Sequence, residues 1–349
     1  MLHIDGSHNE GGGQIVRTAL AFATLLNKPV EVNNIRANRP QKGLKNQHLH
    51  CIRALQQLCH AKIGGAELGS EKIRFLPENK RSSKIKIDIG TAGSITLMLQ
   101  SLLIPCLFSE KSTKIEITGG TDVKWSPQID YFREIILPHF YKYAEKIELT
   151  TERRGYFPKG NGKVILKIKP KYTLETIKGS NQINLTDQGV LVQIKGISHA
   201  STDLQKSEVA ERQAKAAKLA LIDLKVPLKI EHHYAETDSI GSGITLWAMF
   251  AKDEGFQDPI KLGADELGEK GVPAEEVGKK AALKLLEEIN SMAPVDQHLA
   301  DNLIPLMALV KGEMKTSKIT DHTLTNIYTI EQFLGKIFET SNNTIKTIN

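Results

Sequence analysis

The pattern of predicted elements repeats along the chain, and a repeat of this length restricts the fold to joined copies of one supersecondary unit. Gly11-Gly12-Gly13 leads into a helix to about Leu26, where Ile15, Ala19, Phe22 and Leu26 share a face widened by Val16, Leu20 and Ala23. Pro29 to Val32 then reads as a short strand and Gly43 to about Leu58 as a second helix. Ala61 to Ile63, Ile73 to Leu76 and Ile85 to Ile89 read as strands. The order begins again at Gly90-Thr91-Ala92-Gly93-Ser94, with a helix from Ile95 to Phe108, a strand at Ile115 to Thr118, and a second helix from about Ile129 to Tyr143. Strands at Ile147 to Thr151 and Val164 to Ile168 close it. Helix starts near 14 and 94 set a period of roughly 80 residues.

A third start comes late. His298 to Val310 is helix-like, Lys315 to Thr320 strand-like and Leu324 to Leu334 helix-like, about 205 residues after the second start. One period accounts for part of that gap, and the remaining roughly 110–125 residues are about one small domain. That stretch has its own strands (Val190 to Lys195, Leu228 to His233, Ile244 to Ala251) and helices (Ser207 to Asp223, Ala274 to Asn290). The expected fold is α+β, with tandem helix–strand–helix–strand units interrupted by an α/β insert. The expected division is 1–180, first part of the large domain; 181–290, the insert; and 291–349, the last repeat unit.

Bulk properties narrow the class. The 349 residues carry 40% hydrophobic and 25% charged side chains, as ordinary globular proteins do. No apolar run approaches the ~20 residues of a membrane span. The first residues read directly as a strand, with no signal-peptide layout. Three cysteines (Cys51, Cys59, Cys106) form no pair spaced for zinc, and an odd thiol count suits a reducing compartment. A cytoplasmic location is expected, or a nuclear one in a eukaryote. The net charge of +6 is uneven. Lys28, Arg36, Arg39, Lys42, Lys45 and Arg53 face the single acid Glu31, and the block 142–171 has nine Lys or Arg against three Glu. Such blocks suit a polyanion partner, or for 142–171 equally a solvated lysine face.

Chemistry concentrates at helix openings. Gly11 to Gly13 offers backbone N–H groups and the positive end of a helix dipole to an anion. Glu10 would repel phosphate unless a cation stood between, which suggests a divalent metal nearby. Gln14 and Arg17 follow on the helix, and Arg36, Arg39, Gln47 and His48 fall at a strand end and the next helix start, where they could converge on phosphate. Gly119-Gly120-Thr121-Asp122 and Trp125-Ser126-Pro127 form a loop with a flat apolar surface that could stack a base or cover core. Asp301 sits in the first turn of a helix, where capping would also explain it. His322, again at a helix opening, is a competent nucleophile or simply polar surface, since an imidazole of pKa about 6.5 keeps a lone pair near neutral pH. No His-Glu-x-x-His, Gly-x-Ser-x-Gly or Walker pattern is present.

Taken together, these motifs resemble the RNA 3′-terminal phosphate cyclases. The resemblance is carried by Asp5-Gly6-Ser7, Glu10 to Arg17, Ile35 to Arg39 with Gly43-Leu44 and Gln47-His48, Gly90 to Ser94, Gly119 to Asp122, Leu299 to Asn302 and His322 to Ile327. It spans about residues 2–340 and is weakest over the insert. It implies repeats of two helices on a four-stranded sheet, with a small thioredoxin-like insert. It also implies ATP and a divalent metal (Mg2+ or Mn2+) as cofactors, and RNA with a 3′-phosphate as partner. By resemblance His322 is the nucleophile that takes AMP, which then passes to the RNA phosphate before the 2′-hydroxyl closes the cyclic ester. Glu10 and Asp301 become metal or nucleotide-positioning carboxylates. Gln14, Arg17, Arg36, Arg39, Gln47, His48 and Asn326 become nucleotide- or phosphate-site residues, and Pro127 and His298 the pair that sandwiches adenine. Lys42 and Asn302 depart mildly from the family pattern. A non-catalytic cyclase-like ribosome-assembly factor is the alternative; those relatives lack the histidine that stands here as His322.

Overall fold

A computed structural model of the chain describes residues 1–9, 11–177, 181–251 and 258–348. Three units have one topology. The first runs β1 (Leu2–Asp5), α1 (Gly13–Leu26), β2 (Val30–Asn33), α2 (Asn46–Cys59), β3 (Lys62–Gly64) and β4 (Ile73–Leu76), with sheet order β1-β2-β4-β3. The second runs β5 (Lys84–Asp88), α3 (Ile95–Leu107), β6 (Thr113–Gly119), a helical segment α4, β7 (Ala144–Arg153) and β8 (Gly162–Pro170). Its order is β5-β6-β8-β7. Segment α4 is α-helical over Ile129–Tyr131, π over Phe132–Ile136 and 3-10 over Leu137–Tyr143. In both units the first pair of strands is parallel and the other two pairs are antiparallel. A parallel pair needs a long crossover, which the first helix of each unit supplies.

The third unit begins with β9 (Ile183–Leu185) and then leaves its sheet. Between lie β10 (Val190–Ser201), α5 (Val209–Leu221), β11 (Leu228–Ala235), β12 (Ser242–Ala251), β13 (Ile260–Leu267) and α6 (Ala274–Asn290). These strands form a separate sheet, β11-β10-β12-β13, with its own core. The third unit resumes with α7 (Gln297–Val310), β14 (Gly312–Lys315), α8 (Asp321–Leu334), β15 (Phe338–Ser341) and β16 (Thr344–Thr347). Its order, β9-β14-β16-β15, matches the other two once β9 is counted as its first strand. The strand expected at Lys315 to Thr320 therefore ends at Lys315. Thr320 instead caps α8, its hydroxyl accepting from the Thr323 N–H at 3.2 Å, a bond that ends strand geometry there.

The helices face one another and the sheets face outward. α1 packs against α2, α3 and α8, and α3 also meets α7. Nearly every residue of α1 is buried, which explains the apolar side chains around most of its circumference. Along β5 and β6 buried and exposed residues alternate, so one face of that sheet covers helices and the other meets water. Among the described residues no helix is long and apolar enough to cross a membrane.

The β9–β14 pairing has a close approach that tests it. Gly312 has φ +134°, and a Cβ there would lie 1.9 Å from the Ile183 carbonyl oxygen. Gly335 has φ +78° with open space around it. Gly312→Ala is expected to cost roughly 2–4 kcal/mol through strain plus overpacking, against about 1 kcal/mol for Gly335→Ala. The shift in denaturant midpoint at unchanged slope measures both. Equal costs would mean that β9 does not pair there.

Candidate active site

Two helices whose residues lie 308 positions apart in sequence meet in register. Gln14 and Thr18 are one turn apart on α1, and His322 and Asn326 one turn apart on α8. Gln14 Nε2 donates to the His322 carbonyl at 3.1 Å, and Gln14 Oε1 lies against His322 Nδ1. Thr18 Oγ1 donates to Asn326 Oδ1 at 2.6 Å, and Asn326 Nδ2 donates to the Asp301 carbonyl of α7 at 2.7 Å. The amide orientation fixes a tautomer. With Nε2 of Gln14 donating, Oε1 can only accept, so Nδ1 of His322 carries the proton and the in-plane lone pair is on Nε2. The ring is exposed and lines a cavity of about 440 Å³ shared with Gln14, Arg17, Pro127, His298, Asp301 and Asn326.

Local sequence explains why these side chains are available. Asp296 caps α7, accepting from the His298 and Leu299 N–H groups at 3.0 and 2.8 Å, so Asp301 is not the cap. Thr320 caps α8, which leaves His322 to face the cavity. Helix α1 has Gly12 as its N-cap and no side-chain cap among the described residues, which leaves its first-turn N–H groups free of side-chain acceptors there, next to Gln14 at the cavity.

Electrostatics separate the groups. Loss of solvent pushes the Asp301 carboxyl up to about 6 from 3.8; the nearby His322, His298 and Arg17 oppose the rise and Asp296 adds to it. Burial, then Arg17, Arg36 and Lys45, lowers His48 to about 3, so its ring is neutral. Its Nδ1 accepts from the Lys45 N–H at 3.0 Å, which puts the remaining proton on Nε2, beside Gly13. A Cβ on Gly13 would lie 1.9 Å from that nitrogen, so the third glycine of the triplet makes room for the imidazole.

A family model for RNA 3′-terminal phosphate cyclase matches residues 8–340 of this sequence. The chain belongs to that family. A relative of that name from Pyrococcus furiosus is 44% identical over 97% of this chain and 95% of its own length. Others of the same name from Hyperthermus butylicus and Methanosarcina acetivorans are 41% and 40% identical, over 96% and 97% of this chain and 92% and 96% of their own.

The cavity gathers seven of the candidate catalytic and nucleotide-binding residues, Gln14, Arg17, Pro127, His298, Asp301, His322 and Asn326, along with Trp125, Ser126 and Asn302. Others stand behind or beside it. Gln47 Nε2 donates to the Ser94 carbonyl at 3.0 Å, tying the first unit to the second glycine loop, and the Ser94 hydroxyl caps α3. His48 lies under Gly13, while Arg36, with φ +58°, donates to the Gln41 carbonyl at 3.1 Å. A Cβ on Gly12 would lie 3.6 Å from a guanidinium nitrogen of Arg39, which places that arginine at the α1 opening. Glu10 lies outside the described residues. No group of three or more His, Cys, Asp or Glu side chains that could hold a metal occurs among the described residues. Trp125 covers no core: it is 95% exposed, with φ +64°, at the cavity edge.

Sequence reasoning missed the wall supplied by the insert. Asp265 of β13 and Lys284 of α6 line the cavity, as does Gln100 of α3. Gln100 left a signal, a lone amide inside an apolar helix, whereas Asp265 and Lys284 left none. Strand β13 holds both sides of the slot. Asp265 Oδ2 accepts from the Gln128 N–H at 3.0 Å, next to Pro127, and Asp296 Oδ2 accepts from the Gly263 N–H at 2.9 Å, next to His298.

The Asp301 carboxyl gives a pH test. Its folded-state pKa is raised, so its contribution is fully present below about pH 4 and is lost as pH rises through about 6. Asp301→Asn removes the cost of the buried charge. The variant is expected to match the wild type near pH 4 and to exceed it by roughly 2–3 kcal/mol above about pH 7 in the nucleotide-free protein. Thermal unfolding across that range decides it, and a pH-independent difference would discard the assignment.

Proposed function

We propose that this chain converts an RNA 3′-terminal phosphate into a 2′,3′-cyclic phosphodiester at the expense of ATP, through a His322–AMP intermediate. The observation that carries the reading is the paired contact of Gln14 with His322 at the cavity shared with Arg17 and Asp301. It gives a histidine with its Nε2 lone pair toward a polar hollow and its ring held by a neighbour.

The first step forms a bond from Nε2 to the α-phosphorus of ATP as the bond to pyrophosphate breaks. The RNA 3′-phosphate oxygen then displaces the imidazole from that phosphorus, giving RNA-3′-pp-5′-A. Finally the 2′-hydroxyl attacks the RNA 3′-phosphorus and AMP leaves. Attaching AMP matters because expelling hydroxide or oxide from a 3′-phosphate is too costly, while the neighbouring hydroxyl is already close. Gln14 holds the ring in its attacking tautomer. Arg17, Arg39 and Arg36, with the α1 opening, bind phosphate oxygens, Gln47 and His48 support that opening from behind, and Asn326 fixes α8 against α1. Pro127 and His298 hold adenine between them.

A divalent ion, Mg2+ or Mn2+, would supply charge neutralisation at the phosphates when bound. Asp301 fits that use, because a carboxyl pushed up by burial ionises more readily beside an added cation. With Glu10 it would share the ion with the nucleotide.

Incubation with α-labelled ATP and metal is expected to leave a protein-bound label that is acid-labile and alkali-stable and that disappears in His322→Ala. A label that persists in that variant sinks the assignment. Arg39→Ala is expected to slow adenylylation or transfer by roughly 10²-fold or more; wild-type turnover would remove Arg39 from the phosphate site.

A further inference from the structure

The basic block at 142–171 has no part in the cavity, and the second sheet places much of it. On the face turned away from α3 and α4, Lys84 of β5 lies opposite Lys114 of β6, and Lys114 opposite Lys167 of β8. The next row pairs Lys169 with Lys146. These side chains surround a hollow of about 310 Å³ whose charged lining is five lysines and the single acid Glu148, with Ser83 and Ser112 at its border. Like charges directly opposite one another on neighbouring strands destabilise a sheet. The acids on this face are engaged elsewhere or shared: Glu116 pairs with Lys86 and Lys163, Glu145 with Lys169, and Glu148 with Lys146 and Lys167. Lys84 and Lys114 have no ion-pair partner among the described residues.

We propose that this lysine row binds the sugar–phosphate backbone of the RNA, upstream of the 3′ end that enters the cavity. The proposal rests on RNA being the substrate. Strands about 4.8 Å apart set the ammonium groups in a close line, a point-charge array suited to successive phosphates, and the serine hydroxyls beside them suit phosphate oxygens. A protein partner fits less well, because protein interfaces centre on aromatic or Arg anchors and are depleted in Lys, and no such anchor lines this hollow. The row lies behind the helices whose other side lines the cavity. An RNA touching both must pass round the sheet, so only a long one reaches the row.

The test compares the wild type with the triple variant Lys84→Gln, Lys114→Gln, Lys167→Gln. Folding is not at risk: the change removes like-charge repulsion and gives up one solvent-exposed ion pair, Lys167 with Glu148, of a kind that contributes little, so the melting temperature should stay close to the wild type. Binding is measured by salt titration with an RNA of about 30 nucleotides ending in a 3′-hydroxyl, which needs no catalysis. The affinity is expected to fall roughly tenfold at low salt. The slope of log K against log salt should become shallower by about 2, for three lost phosphate contacts on a single strand. An RNA of about five nucleotides should bind both proteins equally. Unchanged affinity and slope for the long RNA would overturn the proposal and leave the face to water or to an acidic protein. Equal weakening for both lengths would also overturn it, by placing the effect at the cavity. A wild type that binds the long RNA in this way but forms no cyclic phosphate would defeat the functional reading and leave this one standing.

Discussion

The contact on which the site depends joins two helices from opposite ends of the chain. Gln14 and His322 exchange two hydrogen bonds, and one turn further along Thr18 meets Asn326. Because both pairs follow the one-turn spacing of their helices, the first bond sets the second, and a slip of α8 by one residue would break both. Asn326 extends the ladder to the backbone of α7 at Asp301. The three helices bearing the polar groups are thus fixed to one another by side chains rather than by chain connectivity. Each helix also carries a buried apolar face in one common core. Burial brings the helices together, and the polar ladder chooses their register.

The insert enters that arrangement as a spacer. β13 hydrogen-bonds to the segment after Pro127 through Asp265, and to the cap of α7 through Gly263. Asp296 carries three duties with one carboxylate: it caps α7, accepts the Gly263 N–H and receives the Tyr131 hydroxyl. A further buried set, Tyr156 with His199 at 2.7 Å and His199 with Gln128 at 2.8 Å, ties the insert to the second unit. Buried polar groups are costly unless paired, so a network this dense resists small changes of distance. The width of the slot between Pro127 and His298 therefore follows from how the insert is seated.

Much of this was legible in the sequence, and the limits have physical causes. Helices α1, α3, α6 and α8 announced themselves by apolar periodicity, glycine openings or length, and the repeat exposed the three units. Strand β9 did not, because three residues carry no periodic signal and their partner β14 lies far along the chain. His322 and Gln14 were legible as candidates through their helix openings and the family resemblance, but their mutual hydrogen bonds depend on register between helices. Asp265 and Lys284 were invisible for the same reason, since tertiary packing alone brings the insert to the cavity. Residues near a helix opening advertise chemistry locally, whereas residues that reach a site across a domain contact do not.

Two features reduce the stability of the ligand-free protein. The Asp301 carboxyl loses water without gaining enough charge to keep its usual affinity for a proton, and three lysines stand abreast on neighbouring strands. Elsewhere the chain neutralises its acids with care. Glu31 is held low, to about 2, by Arg74 and Lys72, and Asp122 and Asp130 share the Arg154 guanidinium. A molecule that pairs these carboxylates closely, yet leaves Asp265 and Asp301 raised by burial in the cavity and Lys84 and Lys114 without an ion-pair partner among the described residues, keeps opposite charges in reserve at two places. On the proposed function the acids would meet a cation brought with nucleotide phosphates, and the lysines the phosphates of a polymer. Both deficits would then be met by one class of ligand, a nucleotide at the cavity and an RNA strand along the lysines.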